Sequence, residues 1–195
     1  MIPSLKSFES TIFLLAILLW ILSEYVGAAI IPKLHRHGIK IKKKDRGSRL
    51  LLSLGMYVSV IVALYLSYNN IGLLPTWIFY PGIFLIILGI FIRQWSIREL
   101  GVFFSVYVGT QKGQKVVKKG PYKLVRHPSY TGLLLTLIGI GLGLQSLAAV
   151  IIIILVFSLT FGYRIHVEEK LLISELNGEY IQYMTKTKRL IPYIL

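Results

Sequence analysis

Four long runs of apolar residues dominate the pattern of the chain. They cover residues 11–31, 50–68, 76–92 and 132–163. A helix of about 20 apolar residues is long enough to cross a bilayer, and these runs approach or exceed that length. The pattern therefore predicts an all-α integral membrane protein.

The fourth run, 132–163, is too long for one simple crossing. Gln145 and Ser146 lie near its middle, after three closely spaced glycines. This pattern predicts a tight hairpin of two short helices, which makes five transmembrane helices with spans four and five forming the hairpin. A single tilted helix with a long end is the alternative.

The distribution of basic residues favours five spans. Of 22 Lys and Arg residues, one precedes the first span, eight lie in 32–49, eight in 93–126 and five in the tail from Arg164. All but the first share one face if the short connections 69–75 and 145–146 lie on the other. The positive-inside rule then places the N-terminus outside and the C-terminus in the cytoplasm. With four spans, the five basic residues of the tail would cross to the far side.

Composition excludes several other classes of protein. The chain is 55% hydrophobic and has no cysteine, so disulfide frameworks, thiolate metal sites and thiol nucleophiles are excluded, and no metal site is predicted. The net charge of +14 is interpreted as a topology signal that also attracts membrane lipids. The basic residues border the spans without a nucleic-acid module, so no nucleic acid is expected as a partner. The first span is interpreted as a retained helix.

The chain is predicted to form a single domain, 1–195. Residues 1–92 would supply three spans, and 93–195 the polar loop, the hairpin and the C-terminal segment. Polar chemistry is concentrated in 93–126 and in 163–195. The hairpin would bring these two segments together, which predicts a site at the cytoplasmic face.

The segment 120–132 combines tyrosine, arginine and histidine directly before an apolar run. Pro128 predicts a helix start, because proline is favoured in the first turn. The amides of Ser129 and Tyr130 would then be open to an anion such as a carboxylate, with Arg126 and His127 beside them. An interfacial belt of tyrosine and arginine is the alternative.

A second polar group lies on the helix after the last span. Arg164 and Glu168 are one turn apart and share a face. Glu169 points about 100° away from Glu168, so one glutamate could bind a ligand while the other pairs with Lys170 or His166. The pattern predicts a cation and a carboxylate at the mouth of an apolar cavity. The alternative is an interfacial helix with a simple Arg–Glu pair.

The string Gly-x-Gly-x-Gly at 139–143 imitates a dinucleotide-binding loop. That loop requires a preceding strand and a later acidic residue, and neither is present. Gly139 and Gly143 are therefore predicted to form a helix-packing face.

The chain resembles the isoprenylcysteine carboxyl methyltransferase family and its phospholipid methyltransferase relatives. The resemblance covers about 103–192, in two blocks whose order and separation match the family. Their matching residues are Gly120, Pro121, Tyr122, Arg126, His127, Pro128, Ser129, Tyr130 and Gly132, and then Arg164, Glu168, Glu169, Leu172, Gly178, Glu179, Tyr180, Tyr183, Arg189, Ile191 and Pro192.

The resemblance implies a membrane enzyme that uses S-adenosylmethionine. By matching positions, it implies cofactor contacts at Tyr107, Gln114, Lys115, Val116, Val117, Tyr122, His127, Pro128, Ser129, Tyr130 and Glu168. The family often has a glutamine at the first of these positions, and Gln111 is the nearest one. Arg164 matches the arginine that orients the acceptor, so Arg164 and Glu168 are the catalytic candidates.

The residue types suit the cofactor. The helix start with His127 suits its carboxylate, Glu168 its ammonium, and the rings of Tyr122 and Tyr130 its sulfonium. The expected reaction is O-methylation of the carboxylate of a prenylated cysteine or a similar lipophilic acceptor, since an amine beside Arg164 would be repelled. N-methylation of a phospholipid amine and a non-catalytic membrane scaffold or lipid-binding subunit are the alternatives.

Overall fold

The computed structural model describes residues 7–30, 42–111 and 113–192. In these ranges the chain forms five α-helices. They are α1 (Ser7–Tyr25), α2 (Ser48–Tyr68), α3 (Phe79–Leu100), α4 (Pro128–Gly143) and α5 (Leu147–Lys186). A short antiparallel pair of strands, β1 (Lys42–Lys43) and β2 (Gly109–Thr110), joins two of the loops. The all-helical prediction is confirmed, with this strand pair as a small addition.

Four segments of the described chain are long and apolar enough to cross a membrane. They are Phe8–Tyr25, Ser48–Tyr68, Thr76–Phe103 and Leu147–Lys186. Large apolar side chains point outward from them, for example Leu14 at 65% and Leu159 at 75% exposure, which suits contact with lipid. The remaining helix, α4, is not among these four segments. It has 16 residues and is about 24 Å long, which is shorter than the hydrocarbon core of about 30 Å.

The long apolar run 132–163 is divided into two helices. Gln145 adopts a left-handed conformation with φ 55°, and the Ser146 hydroxyl accepts a hydrogen bond from the Ala149 amide at 3.1 Å at the start of α5. The helices α4 and α5 pack against each other. The structure therefore forms two helices in this run, where the alternative had one.

The connection between α2 and α3 contacts the turn between α4 and α5. The Leu74 amide donates to the Gln145 carbonyl at 2.8 Å, and the Leu147 amide donates to the Gly72 carbonyl at 2.7 Å. The two short connections therefore lie at the same end of the molecule.

Glycines bring α3 and α4 into close contact. A Cβ at Gly132 would lie 2.7 Å from the Gly89 carbonyl, and one at Gly139 would lie 2.7 Å from the Gly82 carbonyl. A Cβ at Gly143 would meet the Phe13 ring of α1 at 2.7 Å. The interpretation of the glycine string as a packing face is confirmed.

The C-terminal tail is fastened to the loop before α4. The amides of Arg126 and His127 donate to the carbonyls of Lys188 and Arg189, at 2.7 and 3.0 Å. Within α5, Asn177 departs from helical geometry with φ 42° and ψ −121°, so the helix breaks there. These features bring α5, the tail and the start of α4 around one cavity.

Candidate active site

A cavity of about 270 Å³ lies where the loop after α3, the start of α4 and the middle of α5 converge. Most of the site residues predicted from the sequence line this cavity: Tyr107, Gln114, Lys115, Val116, Val117, Tyr122, His127, Ser129, Tyr130, Arg164 and Glu168. Pro128 does not line the cavity and is fully buried at the helix start. Tyr107 lines it, whereas Gln111 does not and donates its side-chain amide to the Val102 carbonyl at 2.8 Å.

The helix α4 begins at Pro128, as predicted. The amides of Tyr130 and Thr131 both donate to the His127 carbonyl, at 3.0 and 3.1 Å. Of the two amides expected to be open, that of Tyr130 is therefore already used. The other, the Ser129 amide, has no hydrogen-bond acceptor among the described residues and stays open as predicted.

Tyr130 bridges the two catalytic candidates. The Arg164 Nε donates to the Tyr130 hydroxyl at 2.8 Å, and that hydroxyl donates to Glu168 Oε2 at 2.6 Å. The Tyr130 ring stacks on His127 with centroids 5.5 Å apart and an interplanar angle of 7°. The simple Arg–Glu pair of the alternative interpretation is thus replaced by a three-residue chain through a tyrosine.

Arg164 is buried, and its guanidinium is held from several sides. Besides Tyr130, it donates to Asp45 Oδ1 at 3.3 Å, to the Ser48 hydroxyl at 3.2 Å and to the Val106 carbonyl at 2.9 Å. A guanidinium has five N–H groups. Among the described residues these contacts use four of them, which leaves one for a ligand.

Asp45 is a site residue that the sequence interpretation missed. It accepts hydrogen bonds from the amides of Val108 and Arg49 and from the Ser48 hydroxyl, each at 3.0 Å. Partial burial pushes the pKa of Asp45 upward, but these hydrogen bonds and the charge of Arg164 outweigh it and hold the pKa below its ordinary value. The charged carboxylate therefore positions Arg164. The available signal was a lone acidic residue within the basic segment 32–49.

Glu169 has different partners from those expected. It is buried and accepts hydrogen bonds from the Nε atoms of Arg126 at 2.9 Å and Arg189 at 3.0 Å, and its Oε1 lies 3.4 Å from His127 Nε2. The expected pairing with Lys170 or His166 is wrong, because the tail folds back and places two arginines beside α5. Glu169 joins α5, the tail and the residues before α4.

Other lining residues also went unassigned at the sequence level. Tyr180 and Tyr183 line the cavity, and both already belonged to the second block of the family resemblance. The Tyr183 hydroxyl donates to the Tyr122 carbonyl at 2.6 Å, whereas the buried Tyr180 hydroxyl has no partner among the described residues. Burial and the charge of Glu168 raise the pKa of Tyr122 well above its ordinary value, so this lining phenol stays neutral.

An ion pair closes the cavity on the side of α1 and α3. Arg93 on α3 donates to both carboxylate oxygens of Glu24, with Nη2 to Oε2 at 2.6 Å, and also to the Ser129 carbonyl at 3.2 Å. This contact ties the end of α1 to the start of α4.

The chain is similar to known proteins over the helices that surround the cavity. The model of the phospholipid methyltransferase family matches residues 77–176, which is 100 of the 195 residues. The chain belongs to that family. The match starts with α3 and ends in α5, so it includes most of the residues that line the cavity.

Relatives of the chain carry more specific names. The protein-S-isoprenylcysteine O-methyltransferase of Saccharomyces cerevisiae is 40% identical over 115 residues, which are 58% of this chain and 48% of that protein. Protein-S-isoprenylcysteine O-methyltransferase B of Arabidopsis thaliana is 28% identical over 193 residues, 95% of this chain and 94% of that protein. The chain thus spans about half the length of the yeast relative and nearly all of the plant one.

A solved structure has the same fold. The eukaryotic intramembrane Ras methyltransferase isoprenylcysteine carboxyl methyltransferase superposes with a TM-score of 0.69 and 22% identity, over 93% of this chain and 65% of that chain. The resemblance inferred from the two sequence blocks is confirmed.

Proposed function

We propose that this protein is an S-adenosylmethionine-dependent membrane methyltransferase that O-methylates the carboxylate of a prenylated cysteine or a similar lipophilic acceptor. The observation that carries the proposal is the chain Arg164–Tyr130–Glu168 beside His127, in a cavity within an apolar helical fold. The relatives named isoprenylcysteine O-methyltransferases support the choice of acceptor.

The residues of the cavity fit this cofactor. Glu168 uses one carboxylate oxygen for Tyr130, and its other oxygen has no partner in the described chain, which suits an ammonium group. The Ser129 amide with His127 suits a carboxylate, and the buried Tyr180 hydroxyl is free to bond a polar group of a ligand. The rings of Tyr122 and Tyr130 suit a sulfonium. When bound, S-adenosylmethionine supplies an activated methyl group.

The residues of this chain would act mainly by positioning. Tyr130 fixes the orientation of both Arg164 and Glu168, and Asp45 fixes the other side of Arg164. Holding two reacting groups in the right orientation can lower a reaction barrier by about 7–11 kcal/mol. A carboxylate acceptor is already deprotonated near neutral pH, so none of these residues needs to remove a proton from it.

We further propose that all five helices cross the membrane, with α4 and α5 as a transmembrane hairpin and the site at the cytoplasmic face. The turn between α4 and α5 is hydrogen-bonded to the connection before α3, so α4 must return the chain from the opposite end. The basic segments then lie on the side of the cavity, with the N-terminus outside and the tail in the cytoplasm. The whole chain, 1–195, would act as a single domain.

Phospholipid amine N-methylation is the second candidate, because the family model is described as phospholipid methyltransferase. The arginines of the cavity lining argue against a cationic acceptor. Incubating the purified protein with methyl-labelled cofactor and either a prenylcysteine analogue or phosphatidylethanolamine vesicles tests the choice. We expect label in the prenylcysteine ester, and label only in the phospholipid would overturn the O-methylation proposal.

Calorimetric titration with S-adenosylmethionine in detergent tests the enzyme proposal itself. We expect saturable binding well below millimolar cofactor. No binding at millimolar cofactor would contradict both enzyme proposals and favour a membrane scaffold or lipid-binding subunit.

A further inference from the structure

We propose that Arg49, near the start of α2, binds the carboxylate of the lipophilic acceptor. This inference rests on the proposed O-methylation and names the residue that would select an anionic acceptor. A carboxylate ligand needs a cation whose N–H groups are not already engaged, and the arginines that line the cavity differ in this respect.

Four arginines of the described chain line the cavity, and in three of them protein acceptors already engage the guanidinium. Arg93, Arg126 and Arg164 each pair with a carboxylate of the protein and also donate to a backbone carbonyl. Arg49 is exposed, and its guanidinium lies over the Tyr107 ring at 4.3 Å from the centroid. Among the described residues, no acceptor engages the guanidinium of Arg49.

The contact with Tyr107 suits a carboxylate-binding arginine. A guanidinium lying over a ring is held by the cation–π attraction and keeps its N–H groups, which lie in its own plane, available. Those groups can form two parallel hydrogen bonds to a carboxylate. Arg164, by contrast, has one N–H group left and cannot offer such a fork in this arrangement.

The helix that carries Arg49 also offers an apolar surface. Leu52, Ser53 and Met56 line the same cavity, and with Arg49 they follow i, i+3, i+4 and i+7 spacing, which is one face of a helix. The other face of α2 is exposed and apolar, as expected beside lipid. A ligand that enters beside α2 would meet a cation at the end of an apolar strip. This matches a carboxylate attached to a hydrocarbon chain.

Lys115 is the competing candidate, since it lines the cavity without an ion pair among the described residues. It belongs to the loop segment 114–117, which the cofactor assignment already uses. It also presents a compact ammonium, which lacks the planar fork of an arginine. The variant Lys115→Gln therefore provides a direct comparison.

The test compares N-acetyl-S-farnesylcysteine with its carboxamide, which differ only in the charged group. Binding of both to the purified protein is measured in detergent without cofactor. In Arg49→Gln, the affinity for the carboxylate ligand should fall about ten- to a hundredfold, because a charge-assisted hydrogen bond is lost. The affinity for the carboxamide ligand should stay the same. Arg49→Lys should recover part of the preference. Arg46→Gln removes the same charge from a side chain outside the cavity and should match the wild type.

Turnover gives a second readout. In Arg49→Gln the KM for the prenylcysteine should rise, with kcat and the Kd for S-adenosylmethionine much less affected. An unchanged preference for the carboxylate, an equal loss for both ligands, or a loss in Lys115→Gln alone would overturn the role of Arg49. If the wild type methylates phosphatidylethanolamine but not the prenylcysteine, the proposed function itself fails. That result differs from a failure of the Arg49 proposal, in which the wild type still methylates the prenylcysteine.

Discussion

Two adjacent glutamates of α5 show how strongly the environment separates residues that are neighbours in sequence. Glu168 lines the cavity and is partly exposed, with Tyr130 as its hydrogen-bond donor. Glu169 is buried between Arg126 and Arg189. The first is thus placed to bind a ligand and the second to hold the fold together.

The two glutamates should therefore respond differently to the same substitution. Glu168→Gln should weaken S-adenosylmethionine binding about ten- to a hundredfold, because an ammonium loses a charged hydrogen bond, with little change in thermal stability. Glu169→Gln should lower stability by about 3 kcal/mol, since breaking a buried ion pair typically costs about 3–5 kcal/mol and Arg189 is half exposed. Calorimetry and thermal unfolding of both variants in detergent measure the two effects. If the two variants lost the same cofactor affinity and the same stability, this division of roles would be contradicted.

At the residue scale, sequence could predict which segments line the cavity but not every contact. His127 and Glu168 were identifiable from a helix start and a helix face, whereas the role of the Tyr130 ring was implied by the family resemblance. The partners of Glu169 and the role of Asp45 were not, because both depend on segments far apart in sequence. Asp45 reaches Arg164 across 119 positions. No local periodicity encodes such a contact.

At the scale of elements, the closest packing is between α3 and α4. Gly82 and Gly89 on α3 face Gly132 and Gly139 on α4, so the two backbones approach within the space that a side chain would need. In membranes such close approach supplies van der Waals contact where the hydrophobic effect between helices is weak. Since α4 carries His127 and Tyr130 at its start, this packing also sets the position of the site.

Gly89→Ala should therefore be destabilising. A Cβ at Gly89 would lie 2.6 Å from the Thr136 amide nitrogen, and backbone atoms cannot move aside as a flexible side chain can. Overpacking of this kind costs about 1–3 kcal/mol. The matched control is Gly162→Ala in α5, where a Cβ would meet nothing within 4 Å. Thermal unfolding should show a loss for Gly89→Ala and no loss for Gly162→Ala; similar melting temperatures for both would contradict the packing argument.

The elements themselves were largely predictable. Pro128 correctly indicated the start of α4, and Gln145 with Ser146 correctly indicated the turn before α5. The break at Asn177 and the pairing of β1 with β2 were not anticipated. The Asn177–Gly178 pair was a turn signal for the break that went unused, whereas a pair of two-residue strands has too few positions to show an alternating pattern.

At the scale of the whole molecule, the two ends differ in chemistry. One end holds the short connections, which are hydrogen-bonded to each other. The other end holds the cavity, the strand pair and the tail, where Lys44 pairs with Glu175 and Lys118 with Glu179. In the sequence, 21 of the 22 basic residues fall in the segments that the proposed topology assigns to this second end. This asymmetry is the basis of the proposed orientation.

Single-cysteine labelling of cells or sealed vesicles tests the orientation, and the chain contains no cysteine that would interfere. Asn69→Cys, in the exposed connection after α2, should react with a membrane-impermeant maleimide from outside. Lys119→Cys and Lys188→Cys, both exposed at the other end, should react only after permeabilisation. Gln145 is unsuitable as a reporter of its turn, because it is only 2% exposed.

The decisive site in that experiment is Lys188, because it reports whether α4 crosses the membrane. If α4 crosses, the tail returns to the side of Lys119, and the hydrogen bonds between residues 126–127 and 188–189 can form on one face of the membrane. If the short α4 does not cross, α5 would carry the tail to the outside and separate these partners. Lys119→Cys serves as the inside control, and permeabilised samples show that each cysteine is reactive. If Lys188→Cys reacted from outside while Lys119→Cys stayed protected, five crossings would be contradicted. The placement of the site at the cytoplasmic face would then be contradicted as well.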